Sequence, residues 1–111
     1  MTSEERHEIV SEIEHVCEKY QFVCREQFGI VYIATKFERW HFKLYTEGQR
    51  VRLMHQNSKG RRFCEWHEQF TQCLSYSELI QYIYEHEQAK YYPGFIEPTI
   101  LRFHNGKAQV V

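Results

Sequence analysis

Apolar residues near the start of the chain recur at helical intervals, at Ile9, Ile13, Val16, Cys17 and Tyr20, while Glu5, Glu8, Glu12 and Glu18 take the other side. That spacing predicts an amphipathic helix over roughly residues 3–20. Thr2 and Glu5 stand at capping-box spacing and set its start. From Phe22 to about Phe70 the period falls to two, with glycines at positions 29, 48 and 60 as punctuation. Trp40, Phe42 and Leu44 alternate with His41, Lys43 and Tyr45; Val51, Leu53 and His55 alternate with Arg52, Met54 and Gln56.

A turn centred on Glu47-Gly48 sets Leu44 opposite Val51, Phe42 opposite Leu53 and Trp40 opposite His55, so the apolar residues share a face. A second turn at Lys59-Gly60 pairs Leu53 with Trp66 and His55 with Cys64, again on that face. An earlier strand, GIVYIA at about residues 29–34, joins the sheet through a turn near Lys36, with Val31 and Ile33 inward. Ser75 and Glu78 form another capping-box pair, and Leu79, Ile80, Ile83 and Tyr84 continue a helix to about Lys90. In the tail, Asn105-Gly106 between ILRF and AQVV signals a hairpin.

The expectation is one α+β domain over residues 1–111. Helices at about residues 3–20 and 75–90 pack on one face of a three- or four-stranded antiparallel meander within about residues 22–70, and a C-terminal hairpin extension spans about 91–111. The order helix, strands, helix is shared with the double-stranded-RNA-binding domain. The basic cluster that grips phosphate at the start of that domain's second helix has no counterpart in SYSELIQYIYEH, so order alone carries no function.

Composition narrows the chemistry. The chain has 111 residues, 42% of them hydrophobic and 16% aromatic, enough to build a core without metal or disulfide staples. Four cysteines, Cys17, Cys24, Cys64 and Cys73, match no zinc or disulfide spacing and read as reduced thiols. No apolar run is long enough to span a bilayer, and MTSEERHEIV is no export signal, so a cytoplasmic protein without membrane contact is expected. All fifteen acidic residues are Glu, which excludes Asp-based triads and calcium loops. The net charge of −1 conceals a middle segment of +6, from Lys36 to Phe63, between acidic ends.

Three histidines, His41, His55 and His67, fall on successive strands and raise the question of a metal site. In the register above His55 points to the core, whereas His41 and His67 point outward with a strand between them, so no shared ligation is expected. His55 beside Cys64 is the one pair resembling an activated nucleophile, but a thiol buried under Trp40 has its pKa raised, and no residue orients the base. No catalytic residue, metal or cofactor is assigned.

What remains is the outward face: His41, Lys43, Tyr45, Arg50, Arg52, Phe63 and His67, with Arg61 and Arg62 in or beside the turn. Positive charge with interleaved aromatics suits an acidic protein partner or a single nucleic-acid strand. Tyr91, Tyr92 and Phe95, in a tyrosine-rich segment, suit contact with a partner or with a second copy in a homodimer. The leading expectation is a small non-enzymatic binding or regulatory protein acting through protein contacts. Nucleic-acid binding is the alternative, and a Cys/His enzyme or metal protein the third.

Overall fold

The computed structural model describes residues 1–56 and 65–92. The C-terminal hairpin expected at Asn105-Gly106 lies outside them, as do Arg61, Arg62, Phe63, Cys64 and Phe95. Helix α1, Ser3–Lys19, begins as its sequence predicts: the Thr2 hydroxyl accepts from Glu5 N–H while the Glu5 carboxylate accepts from Thr2 N–H. It ends in a left-handed residue, Gln21 at φ 60°, with Phe22 N–H donating to Cys17 C=O and Gln21 N–H to Glu18 C=O. That termination turns the chain into the sheet.

Five antiparallel strands follow in simple sequence order: β1 Val23–Gln27, β2 Ile30–Ala34, β3 Arg39–Lys43, β4 Val51–Gln56 and β5 His67–Gln72. The expected count of three or four falls short of five, and the strand missed outright is β1, which reads VCREQ with little apolar alternation to announce it. It sits at the sheet edge, where only Cys24 and Glu26 are half-buried. Its turn to β2 is the two-residue link Phe28-Gly29, both left-handed at φ 54° and 81°, and phenylalanine is not a signal residue for such a turn.

Between β3 and β4 the expected register holds, with Trp40 opposite His55 across a turn in which Gln49 N–H donates to Thr46 C=O and Gly48 takes φ 86°. Between β4 and β5 it does not. Leu53 faces Phe70 rather than Trp66, and His55 faces His67 rather than Cys64. A bulge accounts for the parity: Leu53 pairs with Phe70 and Met54 with Glu68, leaving Gln69 as an extra residue in β5.

Helix α2, Tyr76–Tyr91, opens with the Ser75–Glu78 capping box that its sequence predicts. Both helices cover one sheet face, and the core interleaves Ile13, Val16 and Cys17 with Val31, Ile33, Trp40, Phe42, Val51 and Leu53, and with Leu79, Ile80, Tyr82 and Ile83. This is a two-layer α+β arrangement with an antiparallel sheet. The other sheet face is uncovered among the described residues.

Candidate functional site

Strand alternation sends Arg25, Tyr32, His41, Lys43, Arg52 and Met54 to the uncovered face. Three rings form a row across it: Tyr32 and His41 have centroids 5.6 Å apart, and Trp66 meets His41 edge-on at 4.4 Å. Tyr32 and Trp66 remain well exposed, at 40% and 37%. Partial burial holds the His41 pKa below its ordinary value, so at neutral pH it is an aromatic element rather than a charge.

Cation supply on this face differs from the sequence expectation. The Arg52 guanidinium is 2.5 Å from the Glu68 carboxylate, and Arg50 donates to Thr71 C=O at 2.7 Å. Lys43 is exposed. Tyr45, expected outward, is buried instead: β3 ends at Lys43, alternation stops there, and the Tyr45 backbone N–H donates to the Tyr76 hydroxyl at 2.9 Å while Tyr76 O–H donates to Tyr45 C=O. The hydroxyl of Tyr45 is buried without a hydrogen-bond partner among the described residues. Tyr45 lines a groove of about 820 Å³ between α1 and the start of α2, together with Glu8, Glu12, Glu47 and Glu78.

His67, also expected outward, is carried by the bulge to the helix side, and its sequence neighbour Trp66 takes the outer face in its place. A polar cluster forms there that pattern reading did not find. His67 Nε2 lies 3.0 Å from His55 Nδ1, and His55 Nε2 donates to Glu38 Oε1. The second Glu38 oxygen accepts from Lys90 Nζ at 2.6 Å and from the Tyr91 hydroxyl. Glu38 is fully buried, and His55 nearly so, stacked on Trp40 with centroids 4.2 Å apart. Behind them the buried Glu87 carboxylate accepts from Trp40 Nε1 at 2.9 Å and from Thr35 Oγ1 at 2.6 Å.

Electrostatics divide the cluster. Burial lowers the His55 pKa to about 4, only partly opposed by the Glu38 charge, so His55 is neutral at physiological pH. Burial acts to raise the Glu38 pKa, but hydrogen bonds from Lys90 and Tyr91 and the attraction of the Lys90 ammonium outweigh it, and Glu38 stays ionised. Glu87, which no cation contacts directly among the described residues, is pushed up by burial to about 7. Nothing in the sequence links Glu38 to Lys90 or Thr35 to Glu87, each pair being 52 residues apart.

The tyrosine-rich segment divides too. Tyr91 stacks on Phe37 at 4.2 Å as well as reaching Glu38, whereas Tyr92 is exposed. Cys17 is buried, Cys24 half-buried and Cys73 exposed, all as free thiols. Among the described residues no group of three or more His, Cys or Glu side chains is arranged to hold a metal ion, and no helix is long and apolar enough to cross a membrane. Comparison with protein-family models, with curated proteins and with solved structures finds no match to this chain.

Proposed function

We propose that the protein is a non-enzymatic binding module whose outer sheet face engages an acidic segment of a partner protein. The observation that supports this most is the Tyr32–His41–Trp66 row on a face that no described residue covers. Trp and Tyr are among the side chains that dominate binding energy at protein interfaces, because they bury large area with few rotors to freeze. Arg25 and Lys43 flank the row and favour carboxylates in the partner.

The test is selection from a displayed library of random peptides of roughly eight to twelve residues, long enough in extended form to cross the sheet. Enrichment of acidic sequences with an aromatic or aliphatic anchor, and at least about a tenfold loss of affinity in Tyr32→Ala and Trp66→Ala, is the expected result. Fluorescent single-stranded RNA and DNA oligonucleotides serve as the counter-probe. Oligonucleotide binding that weakens steeply with salt, without peptide enrichment, replaces the protein reading with the nucleic-acid one. Neither signal rejects the face as a binding surface.

A further inference from the structure

Cys17, near the end of α1, and Cys24, on the edge strand β1, meet thiol to thiol in a hydrogen bond between helix and sheet. The chain between them makes this meeting local. Phe22 N–H donates back to Cys17 C=O at 3.0 Å, and left-handed Gln21 turns the strand under the helix. Cys24 then stands opposite Ile33, a core residue, so its side chain takes the helix-facing side of the sheet. Cys17 is 1% exposed, whereas Cys24 is only half-buried. One thiol is sealed in the core and its partner is partly open to solvent.

We propose that Cys24 is an oxidation site for hydrogen peroxide, with Cys17 as the resolving thiol, and that the product is a Cys17–Cys24 disulfide joining α1 to β1. The thiolate forms on Cys24 because its sulfur belongs to the less buried residue. The Cys17 S–H that is bonded to it holds the Cys24 pKa below its ordinary value, against the opposing effects of burial and of the Glu14 charge. The same bond, together with burial, raises the pKa of Cys17, which keeps its proton. Cys73, the third described thiol, is exposed, but it donates to Gly48 C=O at 3.6 Å and has no thiol partner among the described residues.

Two steps lead to the product. The Cys24 sulfur attacks one oxygen of the peroxide: an S–O bond forms, the O–O bond breaks, and the departing hydroxide takes up the proton lost by Cys24 and leaves as water. The Cys17 sulfur then attacks the Cys24 sulfur. The S–S bond forms, the S–O bond breaks, and the Cys17 proton leaves with the hydroxide as a second water. Each sulfur loses one electron, and the peroxide accepts both. Conversion of Cys24 to the sulfenic acid removes the thiolate that held the Cys17 proton, so Cys17 is freed to react at that stage. A disulfide brings its sulfurs to about 2.05 Å, a short approach for two side chains already in hydrogen-bond contact. A reachable thiol beside a resolving one is the pattern of redox-sensing cysteines, whose disulfides form transiently and are undone by thiol reductants.

Trypsin cuts after Arg6, Lys19 and Arg25, which puts Cys17 and Cys24 in separate peptides, 7–19 and 20–25. The experiment treats the folded full chain with hydrogen peroxide, blocks the remaining thiols with iodoacetamide and reads the unreduced digest by mass spectrometry. The expected result is a linked pair of these peptides at the sum of their masses less two hydrogens, lost on treatment with dithiothreitol. In Cys24→Ser the Cys17 peptide is expected to stay unoxidised, and in Cys17→Ser a sulfenic acid is expected at Cys24, captured by dimedone. Circular dichroism reports whether both variants keep the fold, and the wild-type digest decides without them. Peptides that stay unlinked while Cys73 is oxidised, or a sulfenic acid captured on Cys17 instead of Cys24, overturn the proposal.

Discussion

The imidazole of His55 lies flat on the indole of Trp40, centroids 4.2 Å apart, and the two rings are tied to different buried carboxylates, His55 to Glu38 and Trp40 to Glu87. The stack therefore joins β3 and β4 to α2 through polar as well as apolar contacts. Buried carboxylates are stable only while every partner is present, and their removal or titration has measurable consequences.

Removing the Glu38 carboxylate leaves the His55 N–H, the Lys90 ammonium and the Tyr91 hydroxyl without their common acceptor. Glu38→Ala is expected to lower stability by about 3–5 kcal/mol, the usual result of breaking one side of a buried ionic cluster. Urea unfolding followed by tryptophan fluorescence measures it. A loss under about 1 kcal/mol would mean that the cluster is replaceable by water.

Three buried groups give opposing pH dependences. His55 has its folded pKa lowered to about 4, against about 6.5 in an unfolded chain, so stability present above pH 6.5 is lost as the pH falls toward 4. Glu38, with its pKa lowered, acts in the same direction, its contribution being lost in acid. Glu87 does the reverse. Its pKa is raised from 4.5 to about 7, so the stability it contributes is full below pH 4.5 and is lost as the pH rises through 7. Glu87→Gln keeps an acceptor for Trp40 and Thr35 without the ionisation. Relative to wild type it is expected to gain on the order of 2–3 kcal/mol between pH 5 and pH 8, read from urea midpoints at the two values. Parallel curves would place Glu87 ionisation outside this window.

The two tryptophans separate the observed register from the one the turns suggested. Trp40 is fully buried and Trp66 is on the outer face. Trp40→Ala is expected to cost about 3–5 kcal/mol and Trp66→Ala under about 1 kcal/mol, compared by thermal or urea denaturation. Equal losses would put Trp66 back in the core.

The Phe28-Gly29 turn carries an avoidable strain. Phe28 holds φ 54° with its side chain almost wholly in solvent, while Gly29 at φ 81° has open space where a Cβ would stand. Phe28→Asn, which tolerates the left-handed conformation, is expected to raise stability by about 0.5–1 kcal/mol. Gly29→Ala is expected to lower it by about 1 kcal/mol, because the penalty is one of backbone conformation rather than of space. Melting temperatures of the two variants moving in the same direction would contradict this account.

Both helix starts, the β3–β4 register and the inward placement of Val31, Ile33, Trp40 and Phe42 were legible in the chain, because each depends on neighbours in sequence: a cap three residues from its partner, a turn residue between two alternating runs. The outward direction of His41, Lys43 and Arg52 follows from the same alternation. Tertiary structure decided what alternation cannot carry. One extra residue at Gln69 reverses parity, sending His67 inward and Trp66 outward, and the end of β3 at Lys43 lets Tyr45 turn into the core. The meeting of Glu38 with His55, Lys90 and Tyr91 depends on helix–sheet packing between segments up to 53 residues apart. Local pattern fixes which face a residue takes within an element; only packing of the elements on one another fixes which polar groups share a buried site.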